Sequence, residues 1–144
     1  MNVGEICNCD AATVCATASL AEAAESLSNS YADAIVVIAS PVQRPTAIGV
    51  ITYREIVNAL AWGVDLKRTR VIDVLDRNPV VLHEEQTLED AILKLRSRGA
   101  KHAHVTGQGG TLRGMVSMDR LLGCRYAAEL GSRARATVAD TTYK

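Results

Sequence analysis

Apolar residues fall along this chain in two rhythms that take turns. The run SLAEAAESLSNS (19–30) places Leu20, Ala23, Ala24 and Leu27 at helical spacing. Then AIVVIA (34–39) and AIGVIT (47–52) are continuous apolar runs, too short for helices and rich in β-branched residues, and they predict buried strands. Helical spacing returns in YREIVNALAWG (53–63) through Ile56, Val57, Leu60 and Ala61, and a short strand, TVCA (13–16), precedes the whole series. The same order then recurs as VVLH (80–83), TLEDAILKLRSRG (87–99), AHVTG (103–107), LRGMVS (112–117) and MDRLLGCRYAAEL (118–130). Gly99 supplies a helix stop.

This recurrence is an internal repeat. VGEIC (3–7) lies over VIDVL (71–75), Leu20 over Leu88, Ala23 over Ala91 and Leu27 over Leu95. Beyond the strand pair the offset drops, because the first copy's turn, ASPVQRPTA (39–47), is longer, and Gly49 then lies over Gly114. Each copy reads as a three-stranded sheet with two helices on one side, its last two strands forming a hairpin. In the second copy the hairpin turn is GQGG (107–110), which no helix follows, so it does not read as a phosphate loop. A unit of that size leaves apolar surface open. The expected fold class is therefore α+β, two β-α-β-β-α repeats packed about a pseudo-twofold axis. Repeat 1 covers 3–61, a connector 62–70, repeat 2 71–125, and a tail that begins helical and frays 126–144.

Composition narrows the function. Hydrophobic residues make up 48% and charged residues 22% of 144, as in ordinary folded proteins, and the formal net charge is zero. Without a basic surplus, and with one Trp, four Tyr and no Phe, the chain has neither the charge nor the stacking platforms that favour nucleic acid. No apolar run reaches the length of a membrane span, and MNVGEICNCD lacks a secretory pattern, so a cytoplasmic protein with no membrane partner is expected. Cys7, Cys9, Cys15 and Cys124 are then expected to be reduced thiols. No Gly-x-Ser-x-Gly, His-Glu-x-x-His or Walker loop is present, and no enzyme activity is expected.

Candidate chemistry gathers where the last strand of each copy meets a helix. GVITYREIV (49–57) and GMVSMDRLL (114–122) share a glycine, an apolar strand and a hydroxyl, Thr52 or Ser117. Three residues on, the first has Glu55 and the second Arg120, the acid having slipped to Asp119. Thr52 with Glu55 has the spacing of a helix capping box, as do Ser19 with Glu22 and Thr87 with Asp90. Spacing alone thus marks a helix start. His102 and His104 share a strand face near His83, and Cys7 and Cys9 stand close to Cys15, but neither group shows the paired spacing of a metal site.

These features together resemble the tandem CBS domain, or Bateman module. The resemblance rests on the two β-α-β-β-α units, each closing with Gly-apolar-apolar-Thr/Ser, on the lead-ins VGEIC and VIDVL, and on RGAKHAHV (98–105), which is similar to the family's Gly-apolar-x-His-Leu-Pro-Val. Repeat 1 has YADAIVV (31–37) there, with Tyr31 where a glycine is frequent. The resemblance implies a regulatory module that binds AMP, ADP, ATP or S-adenosylmethionine between the repeats, needs no other cofactor, pairs into a homodimer and signals to a regulated protein that the chain does not name. It also implies ribose contacts from Thr52 and Glu55 in repeat 1 and from Ser117 and Arg120 in repeat 2. Backbone at Thr13 and Val80, and at Ala34, Ile35, His102 and Ala103, would close over the base. A carboxylate accepts from both ribose hydroxyls, whereas a guanidinium has only donors and suits phosphate. The clefts are therefore expected to be unequal. A nucleotide-free dimerisation module and a thiol or metal sensor are the rival readings.

Overall fold

The computed structural model describes residues 1–30, 33–39, 46–76 and 78–142, with side chains described as far as Arg133. Tyr31 and most of the long first turn (40–45) lie outside the described residues.

The first repeat contains β1 (Thr13–Cys15), α2 (Leu20–Ser30), β2 (Ala34–Ile38), β3 (Ala47–Thr52) and α3 (Tyr53–Ala61), preceded by a one-turn helix α1 (Val3–Ile6). The second contains β4 (Val81–His83), α5 (Leu88–Arg98), β5 (His102–Thr106), β6 (Leu112–Ser117) and α6 (Met118–Thr142), preceded by α4 (Val71–Val74). Each sheet has the order first, second, third strand, with a parallel pair and then an antiparallel hairpin. The fold class is thus the α+β pair of repeats read from the sequence. The tail begins helical, and α6 runs on to Thr142.

Strand alternation divides the apolar residues between two kinds of core. Ile35, Val37 and Ile51 face Leu20, Ala23, Leu27, Ile56 and Ala59 of the first repeat's helices. Ala103, Val105 and Val116 do the same against Leu88, Ala91, Ile92, Leu95 and Leu121 in the second. Fully burying a Leu or Ile side chain stabilises by about 1.5–3 kcal/mol, so these two layers hold each repeat together. The opposite strand faces meet across the pseudo-twofold axis, where Ala34, Val36 and Ile38 join Met115.

The lead-ins depart from the sequence reading. Both form one-turn helices, and each serves the other repeat. Val3, Ile6 and Cys7 belong to the core of repeat 2, with Val3 N–H donating to Gln86 O (2.9 Å) and Gly4 N–H to Glu84 O (2.8 Å). Val71 belongs to the core of repeat 1, and the N–H groups of Val71 and Ile72 donate to Ala18 O (2.9 Å) and Ala16 O (3.0 Å). Exchange of these segments ties the repeats into one unit.

Candidate functional site

Between the repeats lies a cavity of about 470 Å³, of a size that small-molecule sites commonly have. Repeat 1 lines it with Asp33, Val50, Thr52, Tyr53, Arg54 and Glu55. Repeat 2 answers with Asp76, Pro79 and Val80 ahead of β4, and with Arg98, Lys101 and His102 between α5 and β5. Four of the expected residues, Thr52, Glu55, Val80 and His102, are therefore brought together, and they come from both repeats.

Local sequence explains the floor. Thr52 ends β3 in extended backbone and caps α3, its hydroxyl accepting from Arg54 N–H (3.2 Å). Glu55 folds back, and its Oε2 accepts from Thr52 N–H (2.9 Å) and from the Thr52 hydroxyl. The capping box is real, and it uses one carboxylate oxygen. Among the described residues Oε1 has no hydrogen-bond partner, so the same side chain keeps an acceptor for a ligand. The other expected capping residues act only as caps: Ser19 accepts from Glu22 N–H (3.1 Å) and Thr87 from Asp90 N–H (3.2 Å).

Electrostatics across the cavity are mixed. Burial pushes the His102 imidazole below its ordinary pKa, while the nearby carboxylates of Asp33, Asp119 and Glu55 pull the other way. A largely neutral ring can then donate or accept toward a base edge. Arg54 and Lys101 are exposed at the rim. Arg98 is tied by its Nη2, which donates to Asn78 O. Acceptors from Glu55 and donors from Arg54 and Lys101 thus serve one chamber, an arrangement suited to a ligand with both hydroxyls and phosphates.

The remaining expected residues lie elsewhere. Ile35 and Ala103 point into the helix-side cores and are fully buried, so only their backbone could meet a ligand. Ala34 is buried in the contact between sheets, and Thr13 is exposed on β1. Ser117 pairs with His102 in the sheet and caps α6, accepting from Arg120 N–H (3.1 Å). Arg120 turns to its own chain: its Nε donates to Ile6 O at 2.6 Å.

The second cleft is also strapped by backbone. Asn8 N–H donates to Met115 O (2.8 Å) and Met115 N–H to Asn8 O (3.2 Å), whereas the residues at the matching places, Asp76 and Val50, line the first cavity. A Cβ on Gly114 would lie 2.3 Å from Asn8 O, so only glycine admits this strap. Asp33, Arg54, Asp76, Arg98 and Lys101 were missed from sequence. Arg98 and Lys101 sit inside the RGAKH stretch already singled out, and that cluster of basic residues beside a strand start was the available signal.

Among the described residues no three His, Cys, Asp or Glu side chains converge as a metal site, and no helix is long and apolar enough to cross a membrane. A family model described as the CBS domain matches the chain twice, over residues 3–61 and 71–126. Comparison with curated protein sequences returns no match. Among solved structures, the hexameric CBS-CP12 protein from bloom-forming cyanobacteria is similar at 25% identity and a TM-score of 0.73 over 85% of this chain; the chain spans 66% of that one, just under two thirds. The CBS domain protein from Pyrobaculum aerophilum complexed with AMP is 21% identical, with a TM-score of 0.76 over 83% of this chain and 89% of that one. The CBS domain pair of protein MJ0100, in complex with 5′-methylthioadenosine and S-adenosyl-L-methionine, is 18% identical, with a TM-score of 0.75 over 90% and 98%. At these last two identities the likeness is one of fold.

Proposed function

Because the chain belongs to the CBS domain family and carries two tandem copies, we propose that it is a regulatory module that takes an adenosine-containing ligand in the cavity floored by Thr52 and Glu55. The observation that carries this reading is the convergence of Glu55 from one repeat with Val80, Lys101 and His102 from the other in one chamber. Structural neighbours bound to AMP or to S-adenosylmethionine support the class of ligand. Glu55 accepts from the ribose hydroxyls, the backbone at Val80 and His102 borders the base, and Arg54 with Lys101 meets phosphate or another anionic group. Occupancy favours one relative arrangement of the repeats, which a partner protein reads.

The signalling unit is a homodimer. On α3, Val57 (58% exposed) and Leu60 (59%), with Trp62 (72%) just past its end, form an apolar face that a second copy would cover.

Thermal unfolding with AMP, ADP, ATP, S-adenosylmethionine, NAD and zinc tests the reading, since a ligand at about 100 times its Kd adds about 2.7 kcal/mol. At least one adenosyl compound should raise the midpoint, and Glu55→Ala should abolish that rise. Thr87→Ala removes a helix cap outside the cavity and should cost about 1 kcal/mol while keeping the ligand response. If no adenosyl compound acts at roughly millimolar concentration, where even weak sites bind, the nucleotide-free dimerisation module becomes the reading, a role that the capping duty of Glu55 also fits.

A further inference from the structure

The strap over the second cleft carries a pair of thiols. Cys7 and Cys9 flank Asn8, the residue whose backbone is bonded to Met115, and their sulfurs lie 3.9 Å apart. Their surroundings differ. Cys7 is 8% exposed, sits in the core of repeat 2 and donates its N–H to Val3 O (2.9 Å), whereas Cys9 is exposed. Cys15 faces the contact between sheets and Cys124 packs on the core of repeat 2. A buried thiol beside an exposed one has the layout of a resolving and an attacking sulfur.

We propose that Cys7 and Cys9 form a reversible intrachain disulfide, and that its closure loosens the strap over the second cleft. The oxidant is a small-molecule disulfide. The Cys9 thiolate attacks one of its sulfurs, forming a mixed disulfide and expelling one thiolate, which takes up the Cys9 proton. The Cys7 thiolate then attacks the Cys9 sulfur and expels the second thiolate, which takes up the Cys7 proton. Two protein thiols are oxidised to one disulfide, and the small disulfide is reduced to two thiols. Burial holds the Cys7 thiol above its ordinary pKa, and so do the hydrogen bond and charge of Cys9. Capping Cys9 removes its charge and its S–H, so Cys7 ionises more readily once its target is in place.

Geometry links the bond to the strap. A disulfide needs sulfurs about 2.05 Å apart, so the present separation must shrink. Cys7 is anchored in the core and Cys9 is exposed, so the contraction falls on the segment between them, on Asn8, which holds Met115 through both backbone groups. The Cys9 Cα lies against Gly114, where a Cβ would be 3.1 Å from it, so displacement of Cys9 lifts the strap from β6.

The test uses the full chain with Cys15→Ser and Cys124→Ser, incubated with oxidised and then reduced glutathione. Intact mass should fall by two hydrogens with no glutathione retained, and reduction should reverse it. Hydrogen exchange at the Asn8 and Met115 amides should speed by about tenfold or more in the oxidised form, and Cys9→Ser should suppress both changes. If the double-serine chain does not fold, fragment-ion mass spectrometry of the native chain reads the bond between residues 7 and 9 directly. A stable glutathione adduct on Cys9, or unchanged thiols, overturns the disulfide. A disulfide that leaves both amides protected overturns its link to the cleft.

Discussion

The first cleft and the second begin from the same frame, a glycine-bearing strand that ends in a hydroxyl cap, and they end as different objects. At the first, Glu55 has only acceptors, cannot bond a backbone carbonyl and, among the described residues, keeps one oxygen without a partner. At the second, Arg120 has only donors and finds its acceptor in the chain itself, at Ile6 O. Strap, glycine and arginine act together there: Asn8 pairs with Met115 over Gly114, and Arg120 holds the end of the same segment. Donor or acceptor character at one helix position thus separates a helix start that closes its own capping box from one that holds the lead-in of the other repeat.

The strongest way to break that contrast is to put a methyl group on each glycine. Gly114→Ala meets the Asn8 carbonyl at 2.3 Å, a backbone atom, whereas Gly49→Ala meets the movable Leu75 side chain at 3.1 Å. Urea unfolding should show a loss of about 2–4 kcal/mol for Gly114→Ala and about 1 kcal/mol or less for Gly49→Ala. Equal losses would mean that the strap is not what separates the clefts. Next in size is Arg120→Ala, which leaves Ile6 O without its charged donor and should cost about 1.5 kcal/mol. Nucleotide affinity at the first cavity should be unchanged. Selective weakening of ATP relative to adenosine would instead place that guanidinium on a phosphate.

Third is Lys101→Ala, which removes a rim cation from the first cavity and should leave stability within about 0.5 kcal/mol of the parent. Isothermal titration should then show ATP weakened more than adenosine, the reverse of the result at Arg120. A loss equal for both ligands would take Lys101 off the phosphate.

Much of this frame was legible because periodicity is local. The strand runs AIVVIA and AIGVIT, the helix faces of Leu20, Ala23 and Leu27, and the replacement of Glu55 by Arg120 are each visible within a dozen residues. The lead-ins were not. VGEIC and VIDVL look like the start of the repeat they precede, and nothing nearby tells that Val3 packs under repeat 2 and Val71 under repeat 1. The role of Arg120 was hidden for the same reason, since its partner Ile6 lies far back in the chain and is met through a backbone carbonyl, which leaves no mark on residue type. How far α6 runs beyond its helical start in the tail was hidden too, for the residues there lack a sharp apolar stripe.

The last expected effect concerns the contact between the sheets. His104 takes the place that Val36 holds in the first repeat; it is 2% exposed, and its Nδ1 has no hydrogen-bond partner among the described residues. Burial pushes its pKa below the ordinary value, so the folded chain keeps the ring neutral while the unfolded chain protonates first. Its contribution to stability is complete above the imidazole's ordinary pKa of about 6.5 and falls as the pH drops toward the folded value. His102, also pushed down, adds to the same slope. His104→Val copies the first repeat and should gain about 1 kcal/mol by removing the unpaired ring nitrogen. It should also flatten, without abolishing, the loss of stability between about pH 6.5 and about pH 5. Urea midpoints at both pH values check this. An unchanged slope would show that His102 alone carries it, and that the contact between sheets is as indifferent to acid on the histidine side as on the valine side.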